Sequence, residues 1–127
     1  RAVLRAMHLF EENKRVDEEV AALEQGDFEA FKKLVKASGD SSFKYLQNVY
    51  SGHDLQNQSV SIGLAVSDVA LGDRGVSRVH GGGFAGTIQA FVPNDIVGMY
   101  KETIEHVFGK GSCHVLKVRK YGGKKVL

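Results

Sequence analysis

The sequence has few of the residues that stabilise small or secreted domains covalently. Cys113 is the only cysteine among 127 residues, so no disulfide can form within the chain. A single cysteine with apolar neighbours is typical of an inert core residue and favours a reducing, cytoplasmic location. A chain of this length buries about two-thirds of the surface that its unfolded form exposes, so a core needs no disulfide or metal.

Long apolar runs and several catalytic signatures are absent as well. No stretch approaches the ~20 apolar residues of a membrane helix, and no signal-peptide pattern opens the chain. No Gly-x-Ser-x-Gly elbow occurs, which argues against a serine hydrolase. None of the histidines lies at metal-ligand spacing from another histidine or from the cysteine; they are His8, His53, His80, His106 and His114. We therefore expect one soluble domain without a membrane segment or a resident metal.

Charge is unevenly distributed along the chain. The formal net charge is +2, and residues 112–127 contain five basic side chains but no acidic one. A basic end of this kind could contact nucleic acid. We favour a solvated C-terminal end. We likewise interpret the carboxylates near the start of the chain as a solvated helix face; they are Glu11, Glu12, Asp17, Glu18 and Glu19.

Apolar residues recur at helical spacing through most of the first 70 positions. Residues 1–25 predict one long helix, and Asp27 caps a second helix that ends at Gly39. A third short helix fits residues 41–50, and a fourth begins at Asp54. The predicted apolar stripe of the first helix comprises Val3, Met7, Phe10, Val16, Val20 and Leu23.

The pattern then changes from helical spacing to strands. Residues 76–79 and 87–92 read as strands joined by a short loop, and such strands pair antiparallel. Asn94 or Asp95 caps a further helix, and a last strand is expected over residues 113–118. The buried side of that helix should carry Val97, Tyr100, Ile104 and Val107. The order of elements predicts an α+β domain with its helices on one face of a small antiparallel sheet.

The loop between the two strands is the strongest functional signal. "HGGGFAGTIQAFVP", which begins at His80, places four glycines within six positions. Glycine is favoured where the chain needs a positive φ or where another group must approach the backbone. Clustered backbone N–H groups can bind a phosphate. The spacing alone leaves a phosphate contact and a structural turn open. A strand follows the glycines, which excludes a Rossmann fingerprint, and no Lys-Ser or Lys-Thr pair follows for a P-loop.

"SRVHGGGFAGTIQAFVP" resembles the third motif of the GHMP sugar and metabolite kinases, in the form found in galactokinases. An upstream segment is similar to the helix pair of the same family, typically R-A-x-H, E-N-x-R-V, then L-x-x-G-D with a later Phe, Leu and Ser. The matching positions are Arg5, Ala6, Met7, His8, Glu12, Asn13, Arg15, Val16, Leu23, Gly26, Asp27, Phe31, Leu34 and Ser38. The resemblance covers about two-thirds of the chain, with both signatures in family order.

The resemblance implies that residues 1–127 are the C-terminal, ferredoxin-like domain of a longer two-domain kinase. That parent would use ATP and Mg²⁺ to phosphorylate galactose at its C1 hydroxyl. The loop would approach ATP and the sugar hydroxyl, through Gly81, Gly82, Gly83, Phe84, Ala85 and Gly86. The domain's partner would be its own N-terminal domain. An isolated chain should expose apolar surface around Phe84 and could self-associate.

The sequence also departs from the family. His80 lies where Thr is common, Ala85 where Gly is usual, and Thr87 where Cys or Ser often occurs. Gly39 replaces a usual His, and the Cys-Pro-Glu-Leu-Asp start of the fourth helix is absent. The family's sugar-binding and phosphate-wrapping signatures do not occur either, so no residue here is assigned as a catalytic base. A kinase for another sugar or metabolite and a non-catalytic binding module are the alternatives.

Overall fold

The structure is a computed structural model that describes residues 1–84 and 86–118. Its elements are α1 Ala2–Glu24, α2 Phe28–Ser41, α3 Ser59–Leu71, β1 Val76–Val79, β2 Ile88–Phe91 and α4 Val97–Phe108. A π-helical turn, Ser42–Leu46, extends α2, and a short 3-10 turn, Asn94–Ile96, precedes α4. The predicted α+β class is confirmed, with four helices packed against a two-stranded antiparallel sheet. None of the described helices combines the length and apolar character needed to cross a membrane.

The two strands form a ribbon with helices against both of its faces. Val76 pairs with Phe91, and Val79 pairs with Ile88. Val76 and Phe91 belong to a cluster with Phe31 and Val35 of α2. Val79 and Ile88 pack instead with Val60 and Leu64 of α3. Residues 76 and 79 point to opposite faces of a strand, so the expected single helical face is corrected to two.

Each face of the ribbon has its own core. On the α1–α2 face, the rings of Phe31 and Phe91 meet edge to face with centroids 5.0 Å apart. On the α3–α4 face, Leu71, Tyr100 and Ile104 form a buried cluster. The Tyr100 hydroxyl lies 2.8 Å from the Ser67 hydroxyl, so the buried phenol has a hydrogen-bond partner.

The helix boundaries partly follow the prediction. Asp27 caps α2 as expected, because its side chain accepts a hydrogen bond from the Ala30 N–H at 2.9 Å. Gly39 does not end α2. A Cβ at this position would lie 3.1 Å from the Arg78 Cβ, so the glycine lets α2 approach β1 closely. The predicted third helix is a π-helical continuation of α2, not a separate element.

The fourth predicted helix starts five residues later than expected. Asp54 accepts a hydrogen bond from the Asn57 N–H at 3.2 Å, and the Asn57 side chain bonds to the Ser59 hydroxyl at 2.9 Å. Such local side-chain bonds compete with helical hydrogen bonding. The helix therefore begins at Ser59, beyond this run of polar turns.

The predicted third strand does not form over residues 113–118. Only Cys113 is partly buried there, while Val115, Leu116 and Val118 are exposed. A strand needs a hydrogen-bonded neighbour, and the sheet of the described chain consists of β1 and β2 alone. Burial raises the pKa of the Cys113 thiol, in keeping with an inert cysteine. Four of the five C-terminal basic residues lie outside the described residues.

The first helix exposes the face that was expected to be buried. Val3 and Phe10 are each 72% exposed, and Met7, Val16, Val20 and Leu23 are exposed as well. The buried residues of α1 are His8 and Ala22. The apolar spacing correctly predicted a helix, but a helix buries its apolar stripe only where another element covers it.

A polar network attaches α1 to α2 and β1. Glu12 accepts a hydrogen bond from the Ser38 hydroxyl and pairs with Arg15, and its Oε1 lies 3.3 Å from the Arg78 guanidinium. The His8 Nδ1 lies 2.9 Å from the Ser41 hydroxyl. The expected solvated face is therefore wrong for Glu12. Four of the residues that carry the upstream resemblance meet here; they are His8, Glu12, Arg15 and Ser38.

Burial and neighbouring charges shift the two titrating groups of this network. Burial lowers the pKa of His8, an effect that Glu12 opposes and that Arg15 and Arg78 reinforce. Burial would raise the pKa of Glu12, but the Ser38 hydrogen bond and the charges of Arg78 and Arg15 outweigh it. The pKa of Glu12 therefore lies below its usual value. Both groups favour the folded state in the form that they hold at neutral pH.

The network predicts that the stability of the folded chain decreases as the pH is lowered. Because the folded pKa of His8 lies below that of the unfolded chain, the unfolded chain binds more protons as the pH falls through about 6.5. We expect the urea midpoint to decrease as the pH is lowered from 7.5 to 5.5. His8→Asn should make the midpoint depend less steeply on pH. An equal slope in both proteins would contradict the assignment. The contribution of Glu12 is lost separately, below pH 4.5.

Two phenylalanines test the division between exposed and buried faces. Phe31 is 6% exposed and Phe10 is 72% exposed. We expect Phe31→Ala to lower the free energy of unfolding by about 3–5 kcal/mol, and Phe10→Ala by less than about 0.5 kcal/mol. Chemical denaturation of the two variants measures both values. A comparable loss for Phe10→Ala would mean that α1 buries its apolar stripe.

Candidate functional site

The glycine-rich segment connects β1 to β2 at one end of the ribbon. The His80 N–H donates to the Thr87 carbonyl oxygen at 3.1 Å, which closes the loop. The described residues between them are Gly81, Gly82, Gly83, Phe84 and Gly86, and the expected site residue Ala85 lies outside the described residues. The hairpin therefore brings the predicted loop residues together as one exposed turn.

Three of the four glycines adopt left-handed backbone conformations. The φ angles are 62° at Gly81, 71° at Gly83 and 88° at Gly86. Residues with a Cβ rarely adopt such angles, so conformation alone accounts for glycine at these positions. Phe84 also has a positive φ, 57°, although it is not glycine.

A close approach to the backbone occurs at Gly83, and the approaching group belongs to the chain itself. A Cβ on Gly83 would lie 2.8 Å from the Cβ of Asn48 and would overlap the Asn48 carbonyl oxygen. That oxygen also accepts a hydrogen bond from the Phe84 N–H at 2.9 Å. At Gly83, therefore, the missing side chain makes room for the turn that follows α2.

Gly82 differs from the other three glycines. It is absent from the residues with positive φ, and no heavy atom lies within 4 Å of the position that its Cβ would occupy. Neither conformation nor packing within the described residues requires glycine here. The open space beside its Cα is available to a group outside the chain.

Phe84 lies at the tip of the loop, and it is 59% exposed. This agrees with the expectation of apolar surface beside the glycines, since the ring projects from the domain that carries it. Self-association through this surface stays a prediction.

A cleft of about 370 Å³ adjoins the end of the loop. It is lined by His80, Gly86 and Thr87, by Ser59 and Val60 at the start of α3, and by Phe108 and His114 among others. The first turn of α3 carries no acidic side chain, and its N-cap residue Gln58 makes no capping hydrogen bond, while the Asn57 Oδ1 accepts the Ser59 N–H at 3.4 Å. A helix N-terminus of this kind favours an anion, because its first N–H groups have no intrahelical partner.

The groups available at the loop suit the recognition of an anion. They are backbone N–H donors, the Thr87 hydroxyl and the His80 imidazole, and among the described residues no carboxylate lines the adjoining cleft. Within the described part of the chain, no three His, Cys, Asp or Glu side chains form a metal-binding cluster. The sequence analysis identified the loop residues that we expect to bind ATP. It did not identify Asn48, because no motif or spacing connects Asn48 to a loop more than 30 residues away.

The upstream signature serves a different purpose from the loop. His8, Glu12, Arg15 and Ser38 take part in the network that attaches α1, and none of them lines the cleft beside the glycines. The upstream segment attaches α1 to α2, and Arg78 of the second segment also pairs with Glu12 in that network. The glycines of the second segment form an open turn.

Comparison with known proteins supports the resemblance. The chain is 30% identical over 109 residues to a galactokinase of Haemophilus influenzae (strain ATCC 51907 / DSM 11121 / KW20 / Rd). It is 31% identical over 109 residues to a galactokinase of Glaesserella parasuis serovar 5 (strain SH0165). Each match covers 86% of this chain and 27% of the relative. No protein-family model matches the chain.

The chain therefore spans about a quarter of the length of the curated relatives that it matches. The match extends over 109 residues. Over this segment, the chain is homologous to galactokinases.

Proposed function

We propose that the chain is the C-terminal domain of a cytoplasmic galactokinase. The complete protein would transfer the γ-phosphoryl group of ATP to the C1 hydroxyl of galactose. The homology to galactokinases supports the reaction class. The open glycine turn supports a role for this segment beside the phosphates.

Gly82 is the observation that carries the proposal. The other described glycines of the loop have a conformational or packing reason within the chain, whereas Gly82 has neither. A side chain at this position would occupy only open space. Glycine here is explained if a phosphate approaches the backbone from outside the domain.

Backbone donors suit phosphoryl transfer because that reaction depends mainly on positioning and on stabilising charge. The N–H groups of Gly82 and Gly83 would bind phosphate oxygens, with the start of α3 adding positive potential. Mg²⁺ would arrive with the nucleotide and neutralise part of the phosphate charge. The described residues offer no metal cluster of their own, so ligands for the ion would come from the nucleotide and from the partner domain.

The proposed division of labour leaves the proton transfer and the recognition of galactose to the N-terminal domain. This segment would close over the nucleotide and bring Phe84 into the contact between the domains. An exposed aromatic side chain beside a ligand-binding turn is typical of such a contact.

The isolated chain should be folded but inactive. We expect cooperative thermal unfolding, because two clusters of buried side chains hold the ribbon, and no galactose-dependent release of ADP. A coupled assay for ADP with and without galactose measures this. Turnover above the galactose-free background would show that the chain holds a complete active site.

Two neighbouring glycines separate a ligand-binding role from a structural role. In the isolated chain, we expect Gly83→Val to lower the free energy of unfolding by about 2–6 kcal/mol, because it overlaps Asn48 and has a positive φ. Gly82→Val should leave the melting temperature nearly unchanged. In a galactokinase-length protein that contains this segment, Gly82→Val should lower kcat/KM for ATP at least ~100-fold, about 2.7 kcal/mol.

Thr87→Ala is the matched control, since it removes one hydroxyl from the same loop without adding bulk. It should have a milder effect on kcat/KM for ATP than Gly82→Val. A Gly82→Val enzyme that retains near-normal turnover would show that the loop is a structural turn only, and the proposed phosphate contact would be abandoned.

A further inference from the structure

Asn48, a buried residue outside the hairpin, contacts the glycine loop through both its main chain and its side chain. It follows the π-helical turn at the end of α2 and is 1% exposed. Its carbonyl oxygen accepts the Phe84 N–H at 2.9 Å, and its Nδ2 donates to the Gly82 carbonyl oxygen at 3.4 Å. Gly83 packs directly against it. The loop is therefore held by a turn that lies more than 30 residues earlier in the chain.

The main-chain contact constrains the loop at its least favourable residue. Phe84 has a φ of 57°, a left-handed conformation that a residue with a Cβ adopts only when its surroundings enforce it. Its N–H is bound by the Asn48 carbonyl oxygen, and the preceding glycine leaves no room for a side chain. Asn48 thus enforces the conformation of residues 83 and 84 together.

The side-chain contact sets the direction of one peptide group. The carbonyl of Gly82 and the N–H of Gly83 belong to the same planar trans peptide, so they point in opposite directions. Because the carbonyl oxygen is bound to the Asn48 amide, the N–H of Gly83 is directed away from Asn48. No backbone acceptor within the described residues binds that N–H.

We propose that Asn48 is a positioning residue of the glycine loop, which holds the Gly82–Gly83 peptide so that the Gly83 N–H faces a phosphate oxygen. The proposal rests on the function proposed above and adds to it the residue that orients the donor. An amide is required for this task, since a carboxylate at position 48 would turn an acceptor toward the Gly82 carbonyl oxygen.

Asn48→Leu tests the proposal with a side chain that has the same number and branching of heavy atoms. The leucine removes the donor and introduces no charge, and it also removes the Asn48 Oδ1, a buried atom without a hydrogen-bond partner among the described residues. The bulkier leucine should lower the urea midpoint without preventing folding. Asn13→Leu, the same change at an exposed position of α1, is the matched control.

The first readout is the orientation of the Gly83 N–H, measured by residual dipolar couplings in the isolated chain. We expect the coupling to change in Asn48→Leu and to stay as in the parent chain in Asn13→Leu. Hydrogen exchange of the Phe84 amide should change less than ~2-fold, because its acceptor is the main-chain oxygen of residue 48, which the substitution keeps. An unaltered Gly83 coupling in Asn48→Leu would overturn the proposal.

The second readout is turnover in a galactokinase-length protein that contains this segment. Asn48→Leu should lower kcat at least ~10-fold and leave KM for galactose unchanged, because only the orientation of a phosphate donor is altered. Normal kcat in Asn48→Leu, beside a large loss in Gly82→Val, would overturn the role of Asn48 alone. Normal turnover in both variants would overturn the proposed phosphate contact as well.

Discussion

The pairing of β1 with β2 is the constraint on which the other elements depend. Only four residues of each strand take part, and a hairpin of this size is marginally stable in water without support. Support comes from both faces, through Val76 and Phe91 against α2 and through Val79 and Ile88 against α3. The same pairing fixes the two ends of the glycine loop, so the packing of the helices and the geometry of the candidate site are coupled through one short ribbon.

Elements with a strong local signal could be predicted from the sequence. The four helices, the two strands and the capping role of Asp27 follow from apolar spacing and turn chemistry, which act within a few residues. The late start of α3 reflects local polar turns, but the other errors arose where a distant element decides the outcome. Gly39 looked like a helix end because nothing local reveals that β1 passes beside it. The segment 113–118 has a strand-like sequence but no neighbouring strand in the described chain.

The candidate site shows the same contrast. The glycine loop could be found from its composition, yet its glycines serve different purposes that only the structure separates. Asn48 carries no recognisable motif and could not be identified without the fold. The acidic residues of α1 were misjudged for a similar reason. Burial of Glu12 depends on Ser38 and Arg78, which come from two other elements. Local sequence thus locates the loop, and tertiary contacts assign its supports.

The π-helical turn Ser42–Leu46 restricts where residues can be inserted into the chain or deleted from it. It lies between the last turn of α2 and Asn48, so it determines how far Asn48 reaches along the ribbon. One residue inserted or removed there would advance or retract Asn48 by about 1.5 Å and rotate it by about 100° around the helix axis. The contacts with Gly82 and Gly83 would then be lost together. Variation in length is consequently better accommodated in residues 51–57, which are mostly exposed and lie outside the helices.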